Sequence, residues 1–210
     1  MTRAWQNNPG LLTLTNFVSD RQVIQDAINY LRKANLMPED VDKEQKVTYL
    51  RGESGRMVQA ISLSEADFVQ VDFFRNNLEE IDPETKEVKA SYPFYRPDPD
   101  YGLIRAVISG SRDINEKVIS SEYNYTKINY ETTGAYPIKT GEQAWQELNS
   151  GGGYVTNKGP KTGTVAIRRI LLGYYDSDQN QSYEMPIFVF LGDQGFTAYV
   201  SAVVDSAIVK

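Results

Sequence analysis

Pro186-Ile-Phe-Val-Phe-Leu-Gly-Asp-Gln-Gly195-Phe-Thr-Ala-Tyr-Val-Ser-Ala-Val-Val204 decides how this chain is read: a proline, an apolar run, a glycine-containing turn and an alternating run. In the last run Phe196, Ala198, Val200, Ala202 and Val204 point one way and Thr197, Tyr199 and Ser201 the other. That is the pattern of a strand with one buried face. The stretch Pro93-Phe-Tyr-Arg-Pro-Asp-Pro-Asp-Tyr-Gly102-Leu-Ile-Arg-Ala-Val-Ile-Ser109 has the same grammar. A helix start precedes each, because Ser19-Asp-Arg-Gln22 and Thr140-Gly-Glu-Gln143 both read as capping boxes. The expected fold is α+β, with two related helix-plus-antiparallel-sheet units read as an internal duplication. The expected boundaries are a lead-in over 1–18, a first unit over 19–110, a connection over 111–135 and a second unit over 136–210.

Working outward, Val23, Ile24, Ala27, Ile28, Leu31 and Ala34 fall on one face of a first helix, which Asn35 and Pro38 bring to an end. Strands are expected over 46–51, 56–63, 68–74 and 103–109, with Val69, Val71 and Phe73 on one side and Gln70 and Asp72 on the other. Residues 76–91 are charged and broken by Pro83, which suits an exposed hairpin tip or loop. A second helix over about 141–148 buries Ala144, Trp145 and Leu148. In Thr164–Tyr175 the apolar parity changes, and a bulge near Arg168-Arg169 would restore one face.

Composition excludes several chemistries. The 210 residues contain no Cys and no His. Disulfides, thiolate metal sites, cysteine nucleophiles and imidazole bases are therefore ruled out. Catalysis would have to run on carboxylates, Lys, Tyr or Ser. A net charge of −6, with no basic run, argues against nucleic acid as a partner. No apolar run reaches the roughly 18 residues that a membrane helix needs.

Candidate sites each have a plainer explanation beside them. Asp176, Asp178 and Asn180 alternate like the ligands of a calcium loop, but Gln181 and Ile187 stand where an EF-hand needs Gly and Glu. A polar hairpin turn explains the stretch better. Asp98 and Asp100 form a carboxylate pair within turn-forming Pro97-Asp-Pro-Asp-Tyr-Gly102. Lys158-Gly-Pro-Lys-Thr-Gly163 lacks the spacing of a phosphate loop. Asn124-Tyr-Thr126 and Asn180-Gln-Ser182 match glycosylation triplets. Fourteen tyrosines remain, and Tyr123, Tyr125, Tyr130, Tyr174 and Tyr175 are the candidates for contact with a protein partner.

Ala135-Tyr-Pro-Ile-Lys-Thr-Gly-Glu-Gln-Ala-Trp-Gln-Glu-Leu-Asn-Ser-Gly151, then Ile170-Leu-Leu-Gly-Tyr-Tyr175 and the 186–204 strand pair, give a family resemblance. In order and spacing, residues 135–204 resemble the YycH/YycI-type extracytoplasmic regulators of bacterial histidine kinases and, more loosely, PepSY-like α+β modules. The resemblance implies an extracytoplasmic domain that contacts other proteins without catalysis, held to the membrane by an N-terminal anchor outside this chain. It carries no catalytic motif. The expectation is a non-catalytic regulator, without cofactor or metal, that acts on a sensor kinase or envelope process. The alternatives are a carboxylate-dependent envelope hydrolase, a ligand- or calcium-binding module, and a cytoplasmic location.

Overall fold

The computed structural model describes residues 8–14, 16–41, 43–159, 163–179 and 181–207. The fold is α+β, and the chain divides into two compact units, Met1–Asn76 with Tyr101–Tyr125 and Asn77–Asp100 with Thr126–Lys210. In chain order, α1 (Asp20–Lys33), β1 (Glu44–Glu53), β2 (Arg56–Gln59) and β3 (Phe68–Phe74) open the first unit. The chain then enters the second through β4 (Leu78–Ile81), β5 (Val88–Tyr92) and β6 (Phe94–Tyr95). It returns to the first for β7 (Ile104–Ser109), α2 (Ile114–Lys117) and β8 (Val118–Tyr123). The rest belongs to the second unit: α3 (Gly141–Asn149), β9 (Tyr154–Asn157), β10 (Ile167–Tyr175), β11 (Met185–Gly192) and β12 (Thr197–Ser201).

The first sheet has the order β2-β1-β3-β7-β8, with every pair antiparallel. One face carries Val69, Val71, Phe73, Ile104, Ala106 and Ile108, against which α1 lays Val23, Ala27 and Leu31. Ser19 caps this helix by accepting from the Gln22 amide, and Asn35 takes the left-handed φ of 56° just beyond it. The opposite face is part apolar, where Leu11 meets Leu50, Phe68 and Val107, and part polar. Gln70 and Asp72 lie on the side opposite Val69, Val71 and Phe73, as the alternation predicts, and both are buried. Residues 111–135 are more than a connection, because β8 forms the edge of this sheet.

The second sheet has the order β6-β10-β11-β12-β9, with β6 parallel to β10 and the other pairs antiparallel. Its strand order does not repeat that of the first. The Pro93–Ser109 phrase is not a second copy of the β11–β12 hairpin either, since β6 pairs with β10 while β7 pairs with β3 and β8. The segment 77–100, expected in the first unit, belongs to the second. There β4 and β5 form a separate two-stranded hairpin whose tip is closed by Asp82, which accepts from the Glu84 and Thr85 amides and pairs with Lys89 at 2.9 Å. The bulge falls as expected, with Arg168 as the extra residue between Ile167 and Arg169. It turns Arg168 out to meet Asp193 through two hydrogen bonds of 2.6 and 2.9 Å.

Helix α3 covers one face of this sheet with Ala144, Trp145 and Leu148, packed on Phe188, Phe190, Ala198 and Val200. Its start is a complete capping box: the Thr140 hydroxyl accepts from the Gln143 amide, and the Gln143 side chain accepts from the Thr140 amide at 2.8 Å. Thr140→Ala is expected to lower stability by about 1 kcal/mol. Chemical denaturation measures it, and an unchanged midpoint would mean that packing alone sets the start of α3.

Candidate functional site

The face of the second sheet away from α3 is where side chains enclose space. Along β11 the alternation sends Phe188 and Phe190 to the helix and Ile187, Val189 and Leu191 to the other side. On β12 the same period puts Ala198 and Val200 toward the helix and Tyr199 away from it. Tyr199 lies opposite Tyr154 of the edge strand β9. Gly153 precedes it with φ of 80°, and a Cβ there would lie 2.5 Å from the Tyr199 carbonyl oxygen. Only glycine permits that approach.

An open groove of about 280 Å³ results, lined by Gly153, Tyr154, Tyr175, Met185, Ile187, Tyr199 and Ser201. The Tyr199 ring is the hub of the aromatic cluster. Its centroid is 6.3 Å from Tyr154, 6.2 Å from Tyr175 and 5.8 Å from Tyr95. The Tyr199 hydroxyl donates to the Arg96 carbonyl oxygen at 2.9 Å, which fixes a buried ring by its polar end. Burial, followed by the neighbouring tyrosines and Asp98, pushes the Tyr199 phenol above its ordinary range. Tyr175 is raised in the same direction by burial, then by Tyr154 and Asp178, with Arg96 acting against them. Phenols with raised pKa stay protonated at neutral pH and are poor general bases. None of the lining residues is a carboxylate, a lysine or an arginine. This chemistry suits contact: three phenol rings, a thioether, an aliphatic side chain and the Ser201 hydroxyl.

Of the five tyrosines chosen from sequence, the groove takes in Tyr175 alone. Tyr174, next to it in a strand, faces the other way and packs on Phe94 and Tyr92 at 5.6 and 6.3 Å. Tyr130 lies in the second unit between β8 and α3 and is 43% exposed. Tyr123 and Tyr125 belong to the first unit and sit 6.1 Å apart. Tyr123 is also 43% exposed, whereas Tyr125 packs against the α1 core beneath the Arg75 guanidinium, 5.0 Å from its ring. Tyr154, Tyr199, Met185 and Ile187 were missed, although the alternation of β12 had already set Tyr199 off from the helix side.

Among the loop residues proposed for calcium, Asp178 forms an ion pair with Arg96, and the buried Asp176 donates its amide to the Tyr95 carbonyl. Asn180 lies outside the described residues, as does the stretch 160–162 of the glycine-lysine loop. Among the described residues no three acidic side chains gather in a way that would hold a metal ion, and no helix is long and apolar enough to cross a membrane.

Tyr125 gives a pH test of the first unit. Burial, then the Asp40 carboxylate, pushes its phenol up to about 12, with Arg75 working against them. Its folded pKa thus lies above the unfolded value of about 10. The stability it contributes is present below pH ~10 and is lost as pH rises through ~12. Spectrophotometric titration is expected to show a late phenolate step that Tyr125→Phe removes. Loss of no step would mean that this ring ionises with the exposed tyrosines.

No protein-family model matches the chain. No curated protein matches it. Among solved structures it is similar to the Bacillus megaterium YpeB C-terminal domain, with a TM-score of 0.38 and 13% sequence identity over 90% of this chain. The chain spans 62% of the length of that structure.

Proposed function

We propose that this chain is a non-catalytic, extracytoplasmic binding module that holds a segment of another protein in the tyrosine groove of its second unit, and through that contact regulates a sensor kinase or envelope process. The observation that carries the reading is the composition of the groove: three tyrosines, Met185 and Ile187 on a sheet face that α3 leaves open, with no charged residue in the lining. Tyrosine and methionine are enriched at contact surfaces: tyrosine offers a large rigid ring with a polar tip, and methionine a polarizable side chain that adapts to its partner. The sequence resemblance over 135–204 supports the envelope location, and the whole groove lies within that stretch. A carboxylate-dependent hydrolase would need acidic groups facing its substrate, and the groove has none in its lining.

The test is site-specific photo-crosslinking in the native cell. With a photoreactive amino acid at Tyr154, a discrete protein adduct is expected, and the added change Tyr175→Ser should abolish it. Absence of an adduct, or one that survives Tyr175→Ser, would overturn the groove as the contact surface. Protection of the protein from external protease in wall-stripped cells would refute the location.

A further inference from the structure

We propose that the outer edge of β8, in the first unit, is a second docking surface, which takes an extended segment of a partner protein as an added strand with a lysine or arginine opposite Glu122. It does not rest on the tyrosine groove, which belongs to the second unit. β8 is the terminal strand of the order β2-β1-β3-β7-β8. The Asn124 amide donates to the Leu103 carbonyl at 2.8 Å, and the register runs on through Ile104 with Tyr123, Arg105 with Glu122, Ala106 with Ser121 and Val107 with Ser120. Antiparallel ladders bond at every second pair. Asn124, Glu122 and Ser120 therefore turn their N–H and C=O groups to β7, while Tyr123 and Ser121 turn theirs away from the sheet. Among the described residues no partner meets those outward groups. Both residues are exposed. The bulge in this pairing falls at Ile119, so 120–123 keeps a regular register. That stretch carries neither proline nor lysine, the residues that commonly blunt an edge. Another extended backbone is the group that matches such alternating donors and acceptors.

A row of charges selects which chain fits. It crosses the sheet in register: Lys46 opposite Asp72, Asp72 opposite Arg105, and Arg105 opposite Glu122. The signs alternate. Arg105 joins Asp72 at 2.9 Å and Glu122 Oε2 at 3.0 Å. The row ends on an acid at the open edge, where the Glu122 side chain is 40% exposed and its Oε1 has no partner among the described residues. A strand added here continues the alternation with a cation. Because Glu122 spends its main-chain groups on β7, the antiparallel guest residue opposite it forms a non-hydrogen-bonded pair. In such pairs the Cα atoms are about 4.5 Å apart and the side chains meet most closely. The two guest residues on either side bond to Ser121 and Tyr123 and place their side chains on the α1 side of the sheet, beside the exposed Tyr123 ring. Aliphatic β-branched residues suit that position. The same row disfavours a second copy of this chain. Two β8 edges paired with Ser121 against Tyr123 would set Glu122 directly opposite Glu122, like charge on like.

The experiment is an NMR titration of the backbone amides with capped heptapeptides that have valine on both sides of the centre and threonine elsewhere, the centre being lysine, norleucine or glutamate. The lysine peptide is expected to give saturable shifts over 119–124. Norleucine should bind about threefold more weakly, and glutamate more weakly than norleucine. N-methylation of both valines, whose amides face β8, should weaken the lysine peptide at least about tenfold. N-methylation of the lysine, whose amide faces away, should change its binding by less than about threefold. Glu122→Gln should remove the preference for lysine and leave norleucine binding unchanged, with an unaltered thermal midpoint as the control for folding. No saturable shift over 119–124, equal binding of lysine and norleucine, or equal loss from the two methylation patterns overturns the inference. A lysine peptide that shifts only Tyr154, Tyr175 and Tyr199 overturns it and leaves the groove reading standing. Dimerisation of the chain that shifts 119–124 without peptide overturns it in favour of a second copy.

Discussion

Phe190→Ala is expected to lower the stability of the second unit by about 3–5 kcal/mol. Phe190 is fully buried, and its ring lies 6.1 Å from Trp145 at an interplanar angle of 35°. Around it pack Ala144 and Leu148 of α3, Ala198 and Val200 of β12, and Phe188 of its own strand. Two of those neighbours are alanines, which cannot extend to refill the space. The nine residues of α3 are too few to form a stable helix alone, so the helix depends on this contact. Denaturant unfolding gives the magnitude, and amide exchange in 141–149 should accelerate toward that of an exposed segment. A loss below about 1 kcal/mol would show that the cluster collapses into the cavity and that Phe190 is not its centre.

Asp72→Ala is expected to cost the first unit about as much, 3–5 kcal/mol, for an electrostatic reason. The carboxylate is fully buried. Its Oδ1 accepts from the Gly102 amide and from Arg105 Nε, both at 2.9 Å, and its Oδ2 accepts from Gln70 Nε2 at 2.7 Å. Alanine would strand the Gly102 amide and withdraw the buried half of the Arg105 network. Arg105 would retain Glu122 at 3.0 Å and the Tyr101 ring at 4.0 Å, both nearer to water. The Gly102 backbone is packed tightly on that of Phe73, where a Cβ would lie 2.5 Å from the Phe73 carbonyl oxygen, so its amide has little room to turn toward another acceptor. The double change Asp72→Leu with Arg105→Met removes both charges together and should recover much of the loss. If Asp72→Ala alone unfolds within about 1 kcal/mol of the parent, the network contributes little to stability.

What was legible in the sequence is what short-range pattern controls. Strand β3 occupies 68–74 as expected, because Val69, Val71 and Phe73 alternate against one helix. Arg168 was readable as a bulge from a change of parity alone. Asn35 stops α1 through its own backbone preference. Partners distant along the chain were not legible. Pro93–Ser109 has the local grammar of a hairpin, but pairing depends on strands far away in sequence, and these send β6 and β7 to different sheets. Asp72 has the polar residue's place in an alternating strand, and only the meeting of Gly102, Arg105 and Gln70 makes its burial tolerable. The tyrosines show the same limit. Composition marked the residue type as unusual, while the groove depends on β9 lying beside β12, a pairing that no periodicity announces.

The chain passes from the first unit to the second at residue 76, back at 101 and away again at 125. No single cut therefore releases either unit whole. A gene fragment ending at 125 would carry β4, β5 and β6 without β10, and one starting at 126 would lack Tyr95 and the carbonyl that anchors Tyr199. On the ribosome, β6 must likewise wait for β10 to be translated before its edge of the sheet exists. Chaperones that shield such early-made edges would have their longest task at this point of synthesis.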